Sequence, residues 1–341
     1  MIRVSVVGLG MAFEPHARAL ADLAGRVEVR WAASRSPERL SAAQRHGFPA
    51  TCDVEAALTD PEVDAVVLLT PPNTHRALGA IALSAGKHLL VEKPLDANLE
   101  SARDLVRAAA RADVRLGVVL QHRFRPAAMR LSSLVASGAL GAIQFAAATV
   151  PWWRPQAYYD EPGRGELSRD GGGVLMTQAF HTLDLFRSMF DPLGVTAARA
   201  TATALHRMET EDHVCALLAL PGGGPATFMA TTAYRPGRAE RIEIVGEDGT
   251  ASLEGEALAV QWLDGRCDSV GDTGPTGSGG APMDFGHTAH RALIEDFCSA
   301  VSDGRDPIAS GREALATQEL IAEIMRSAGQ IRRLAASPAP N

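Results

Sequence analysis

The amino-acid sequence predicts an α/β protein in two parts. A parallel sheet covered by helices spans residues 1–121, and an α+β half on a largely antiparallel, open-faced sheet spans residues 122–341. Strand and helix patterns alternate through the first 120 residues, the rhythm of βαβ units. Within them, Ala65-Val66-Val67-Leu68-Leu69 is an almost unbroken apolar run, as a strand buried on both faces requires. Past Gln121 the strand patterns follow one another through hairpin signals instead.

Each element follows from local pattern. Residues 4–7 form a buried strand closed by Gly8-Leu9-Gly10, and a helix covers about 15–23. Residues 27–33 form the next strand, and Pro37 opens a helix at a first-turn position that needs no N–H. A short helix over 54–58 leads to the strand 65–69, and a helix over 75–84 ends at Gly86. The strand 89–91 runs into Glu92-Lys93-Pro94, 99–110 is helical, and 114–120 is the last strand of a complete Rossmann alternation. Beyond it, 126–137 is a helix, with strands at 142–150, 197–205, 214–220, 226–232, 241–245 and 257–262. Turn signals at Pro221-Gly222-Gly223-Gly224 and Glu247-Asp248-Gly249 join several of them. Residues 264–282, rich in glycine, serine, proline and aspartate, read as a mobile surface loop, and helices over 287–302 and 312–334 close the chain.

Composition excludes several classes. The formal net charge of −7 has the wrong sign for a generic binder of nucleic acid or anionic membrane. No stretch has the apolar length of a membrane span. Cys52, Cys215, Cys267 and Cys298 lack metal-ligand spacing, and His287 and His290 have no cysteine or carboxylate pattern beside them, so no metal is expected. The opening MIRVSVVGLG is too short for a signal peptide, so the expected location is cytoplasmic.

Strand, Gly8-x-Gly10, helix is the context in which a glycine turn binds a dinucleotide. The glycines, with Met11 beside them, let the backbone approach a pyrophosphate that the helix N-terminus stabilises. Phe13 holds the third fingerprint position, so its ring is expected to fill a slightly looser gap. The second strand ends in Ser34 and Arg35, without the carboxylate that holds the ribose 2′-hydroxyl of NAD. A hydroxyl and a guanidinium there predict NAD(P) with a preference for NADP(H); an N-cap serine and a solvated arginine are the alternative. Thr70, Pro71, Asn73 and His75 follow the third core strand, and Glu92 and Lys93 follow the fourth. That carboxyl edge is where open α/β sheets bind their ligands. Pro94 constrains the backbone beside Lys93 and permits a cis bond.

Taken in order, the glycine turn, Thr70-Pro71-Pro72-Asn73-Thr74-His75, Glu92-Lys93-Pro94, and Gly171-Gly172-Gly173 followed by His181 and Asp184 resemble the Gfo/Idh/MocA family of NAD(P)-dependent oxidoreductases. The resemblance spans essentially the whole chain. It implies a dinucleotide-binding Rossmann domain, and a second domain for substrate and for association through its sheet into a homodimer or homotetramer. It implies action on sugars, inositols or related cyclic polyols. Lys93 matches the family's active-site lysine, which hydrogen-bonds the reacting hydroxyl and the nicotinamide ribose. His181 matches the acid/base histidine, a role suited to an imidazole whose ordinary pKa lies near neutrality. Asp184 either orients that histidine or caps local structure. Asn73 and His75 match positions that contact the nicotinamide half.

One departure matters. Four residues before the histidine the family often has an aspartate, and this chain has Thr177. A threonine hydrogen-bonds a substrate hydroxyl but takes no proton near neutral pH, which leaves the proton chemistry to His181 with Lys93. Weaker candidates are Gln121 for the cofactor, and Arg123, Trp153, Arg164 and Gln178 for substrate. Aromatic faces stack on sugar rings and arginine grips carboxylates, although packing explains the same residues. The main reading is hydride transfer to or from a secondary alcohol of a sugar, cyclic polyol or nucleotide-sugar. A cyclic dihydrodiol dehydrogenase and a cofactor-binding sensor without turnover are the alternatives.

Overall fold

Short strands of valine, leucine and alanine, buried on both faces, build the first sheet. The computed structural model describes residues 1–334 except 192, 273, 275 and 281–284. It divides into two compact units, Met1–Phe124 with Gly286–Ala316, and Arg125–Phe285 with the chain from Thr317 onward.

In the first unit, β1 (Ile2–Val7), β2 (Val27–Ala33), β3 (Ala50–Thr51), β4 (Ala65–Leu68), β5 (His88–Val91) and β6 (Leu116–Val118) lie in the order β3-β2-β1-β4-β5-β6. Every pairing is parallel, with Val4 opposite Val29 on one side and Ala65 on the other. Parallel neighbours need crossovers. These are α1 (Phe13–Asp22), α2 (Leu40–Gln44), α3 (Val54–Thr59), α4 (His75–Ser84) and α5 (Leu99–Arg111). Asp53 and Asn98 cap α3 and α5 by accepting the Ala56 and Ser101 N–H groups at 2.9 and 3.1 Å.

The second unit begins with α6 (Pro126–Ala136) and β7 (Ile143–Pro151), followed by four helices: α7 (Gln156–Tyr159), α8 (Leu167–Asp170), α9 (Val174–Thr177) and α10 (Phe180–Met189). Then come β8 (Gly194–Ala202), β9 (His213–Ala219), β10 (Pro225–Thr231), β11 (Arg241–Gly246), β12 (Gly249–Glu254), β13 (Ala257–Trp262) and β14 (Cys267–Val270). After α11 (Thr288–Asp303) and α12 (Gly311–Ala328), β15 (Arg332–Arg333) completes a nine-stranded sheet in the order β14-β13-β12-β11-β7-β10-β9-β8-β15. The β7–β10 and β8–β15 pairs are parallel and the others antiparallel. Along β9, Val214, Ala216 and Leu218 are buried while Cys215 and Leu217 are exposed, so one face is packed and the other is open.

Three expectations change. The segment read as a loop over 264–282 contains β14, an exposed edge strand held by pairing with β13 and by Trp262 Nε1 donating to Asp268 at 2.8 Å. It needs no apolar period because it buries no face; residues 273, 275 and 281–282 of that segment lie outside the described ones. The last helix stops at Ala328 rather than 334, where Gly329 turns at a φ of +68° and Arg332 pairs with Thr201. Nor do the units follow a single cut after residue 121: Val118 donates to Ala309 O at 2.8 Å and Gly117 bridges Ser310, which draws 286–316 into the first unit.

Arg125, just before α6, pairs with Glu240 at 2.6 Å, with side chains only 7% and 5% exposed. Removing one member of a buried pair strands the other's charge, and here, among the described carboxylates, only Glu256, 44% exposed, stays beside Arg125 at 3.5 Å. Glu240→Ala is expected to lower unfolding stability by about 3 kcal/mol, measured as a fall in the urea midpoint at unchanged slope.

Candidate active site

Gly8 ends the first strand at a φ of +107°. A Cβ there would lie 2.7 Å from the Leu69 carbonyl carbon and 2.9 Å from the Thr70 nitrogen, so only glycine fits. Above Gly10 the space is open, with the Arg39 guanidinium at 3.5 Å from an added Cβ. The N-terminus of α1 follows directly, so turn and helix form a cradle of the kind that takes a pyrophosphate. Phe13 is 2% exposed and meets the His46 ring edge-on at 6.1 Å, filling the space beside the turn. Met11 is exposed next to it. At the end of β2, Ser34 is buried and its hydroxyl accepts the Ser36 N–H at 3.2 Å, while Arg35 is exposed.

Two loops at the same edge are tied together by His75. The imidazole is fully buried, with Nδ1 3.0 Å from Pro94 O and 3.3 Å from Leu95 O, and Nε2 2.8 Å from Thr70 O. Burial lowers its pKa, against the pull of those carbonyls and of Asp96 and Glu92, so the ring is neutral and donates one N–H. The ring is enclosed by the protein between the loops after β4 and β5. Thr70 Oγ1 accepts the Thr74 hydroxyl at 2.7 Å, and Pro71 and Asn73 are exposed around the same turn.

Lys93 is half-buried after β5, and its bond to Pro94 is cis. Glu92 steadies it: Oε2 accepts the Lys93 N–H at 3.1 Å, and Oε1 lies 3.0 Å from His16 Nε2. His16 is buried on α1, with its ring edge-on to His290 at 5.0 Å. Sequence reading passes over His16; the available signal is a lone imidazole on the α1 face that also carries Phe13, Ala17 and Leu20. Gln121 is buried in the turn after β6, and Arg123 donates to Glu313 at 3.0 Å.

The other candidates belong to the second unit. Thr177 donates its hydroxyl to Gly173 O at 2.8 Å, and His181, 8% exposed, stands in the first turn of α10. Asp184 is fully buried and accepts the Thr317 hydroxyl at 2.7 Å, which also receives Arg187 Nε at 3.0 Å. Asp184 thus ties α10 to α12. Gln178 joins the aromatic stretch: its Oε1 accepts Arg154 Nε and its Nε2 donates to the Tyr158 hydroxyl, both at 2.9 Å. Arg164 stacks over the Tyr158 ring at 4.1 Å and pairs with Glu161 at 2.7 Å. Trp153 accepts Arg154 Nη1 on its carbonyl at 2.8 Å, and its ring lies 5.7 Å from that of His206. Glu211, buried under the glycine triplet, is a further residue that the sequence did not single out.

A six-stranded parallel sheet in this order, with a glycine turn after β1, defines a dinucleotide-binding domain, and the chain is an NAD(P)-linked oxidoreductase. Residues 2–120 match the oxidoreductase family with NAD-binding Rossmann fold, and residues 128–252 match the GFO/IDH/MocA C-terminal domain. The chain belongs to the Gfo/Idh/MocA family. It is 32% identical to 1,5-anhydro-D-fructose reductase of Ensifer adhaerens over 77% of this chain and 76% of that one. It is 26% identical to inositol 2-dehydrogenase of Rhizobium meliloti over 98% of each. Among solved structures, the WlbA dehydrogenase of Bordetella pertussis in complex with NADH and UDP-GlcNAcA matches with a TM-score of 0.80 at 29% identity, over 96% of both chains.

The NADP(H) preference read from Ser34 and Arg35 is overturned. Five of the matched solved structures hold NADH. In the local geometry the Ser34 side chain is buried and its oxygen accepts the Ser36 N–H within its own turn.

His75 sets a pH-dependent expectation. A histidine whose folded pKa lies below its unfolded value leaves stability intact above about pH 6.5 and removes it as pH falls, because only the unfolded chain takes the proton. His75→Gln keeps one donor and does not titrate. It is expected to lower the melting temperature at pH 8 and to flatten the decline below about pH 6.5, both measured by thermal unfolding across pH.

Proposed function

We propose that this chain is an NAD(H)-dependent dehydrogenase or reductase acting on a secondary alcohol or ketone of a sugar, cyclic polyol or nucleotide-sugar. The observation that carries the reading is Lys93, held by Glu92 and by the His75-pinned loop at the carboxyl edge of the parallel sheet, beside the glycine cradle. The names of the relatives support the substrate class: an anhydro-sugar, an inositol and a nucleotide-sugar.

In this reading the turn Gly8–Met11 receives the pyrophosphate, and Thr70, Pro71, Asn73 and Glu92 border the nicotinamide half. When bound, the nicotinamide supplies or accepts the hydride. The Lys93 ammonium hydrogen-bonds the substrate oxygen and stabilises the negative charge that builds there. His181 takes the hydroxyl proton in oxidation and returns it in reduction. Thr177 holds a substrate hydroxyl without moving a proton, and Gln178 and the arginine–tyrosine cluster beside it orient the ring. The open face of the second sheet, where Phe145 and Leu217 are 44% and 43% exposed, joins copies of the chain into a dimer or tetramer.

An absorbance screen at the NADH band against sugars, inositols, nucleotide-sugars and cyclic diols tests the class; turnover confined to cyclic diols would replace the sugar reading. With the substrate in hand, Lys93→Ala and His181→Ala are each expected to lower kcat by about 100-fold or more, and Thr177→Val to have a smaller effect. A His181→Ala enzyme with unchanged kcat removes its assigned role.

A further inference from the structure

The Glu211 carboxyl, 2% exposed just ahead of β9, has no part in the chemistry above. Its two oxygens accept the Gly173 N–H at 3.1 and 3.2 Å. Its main-chain carbonyl accepts the Val174 N–H at 2.9 Å. One residue therefore holds two successive N–H groups, those of Gly173 and Val174, at the start of α9. Gly173 must be glycine for this: a Cβ there would strike the Glu211 carbonyl and lie 2.6 Å from its carboxyl carbon.

From that grip the hydrogen bonds continue toward the reacting residues. Thr177 donates its N–H and its hydroxyl to Gly173 O at 3.0 and 2.8 Å. Ala179 N–H reaches Val174 O at 2.8 Å, and Leu183 N–H reaches Ala179 O at 2.9 Å. His181 lies within this run.

We infer that Glu211 is a positioning residue: through the Gly173–Leu175 turn it sets the place of Thr177 and His181. The inference rests on the reading that those two residues meet the substrate. An ionised carboxylate accepts every N–H offered to it, whereas a protonated carboxyl commits one oxygen to its own proton and slackens the turn. Burial pushes the Glu211 carboxyl up to about 7, with the Asp212 charge adding and the backbone N–H groups opposing. The grip therefore tightens as pH rises through neutrality. Asp212 stays ionised: burial opposes its charge, but His206 at 2.7 Å and the Thr203 N–H and hydroxyl at 2.8 and 2.6 Å outweigh it. The other titratable groups on elements packed against α9 are His213 and Cys215 on β9, the latter a thiol that burial pushes up and keeps neutral, and His181, Asp184 and Arg187 on α10; β10 carries none. On α8, which leads into the turn, they are Arg169 and Asp170.

Two measurements on the full chain test this. In Glu211→Gln, the KM for NADH is expected to stay put while kcat falls about tenfold. In the wild-type chain, amide exchange at Gly173, corrected for intrinsic rates, is expected to slow about tenfold between about pH 6 and 8, and to show no such change in Glu211→Gln. Flat wild-type protection, or a Glu211→Gln enzyme with wild-type kcat, overturns the inference. If no substrate is ever turned over, the dehydrogenase reading falls, and the exchange measurement on the wild-type chain still decides whether Glu211 clamps the turn.

Discussion

The enclosed imidazole of His75 is the contact on which the carboxyl edge of the first sheet depends. Parallel strands end with carbonyls that no neighbour in the sheet satisfies, and here Thr70 O, Pro94 O and Leu95 O would be such groups. The neutral His75 ring lies between them, donating its one N–H to a carbonyl of one loop and packing against the other, at the border of the candidate cofactor site. Glu92 then adds a second tie, reaching back to His16 on the helix that follows the glycine turn. Lys93 thus stands on a loop fixed from both sides, and a long flexible side chain gains a defined root. That matters because an ammonium aids catalysis only where charge develops, and misplacement weakens the effect steeply.

The second unit uses the same economy with different groups. Glu211 holds the glycine triplet, the Asp212–His206 pair lies beneath it, and Asp184 anchors α10 through Thr317. Each is a buried polar group satisfied by specific partners, which is the condition for placing polarity in a core. The short helices α7, α8 and α9 have little propensity or length to stand alone. Tertiary hydrogen bonds, from Gly173 to Glu211 and between Gln178 and Arg154 and Tyr158, anchor the short helix that carries Thr177 and Gln178.

The cofactor expectation shows how far residue types alone can mislead. A serine and an arginine after β2 carry the right chemistry for a 2′-phosphate, but chemistry acts only if the groups face the ligand. The Ser34 hydroxyl is turned into its own loop. Arg39, further along, is the guanidinium that lies beside Gly10.

The sequence alone determined the alternation of buried strands and crossover helices, the glycine turn, the edge position of Glu92-Lys93-Pro94, and the most regular strands of the second sheet. All of these rest on local periodicity and backbone freedom, which neighbouring residues encode. It left unread β3, β12, β14 and β15, the short helices α7–α9, and the return of 286–316 to the first unit. Edge strands with exposed faces and helices of four residues have no apolar period to read. The pairings of His16 with Glu92, His75 with Pro94, and Glu211 with Gly173 join residues 76, 19 and 38 positions apart. Only tertiary structure decided those, because a buried hydrogen bond depends on which backbone the fold carries past a side chain, and spacing along the chain does not record it.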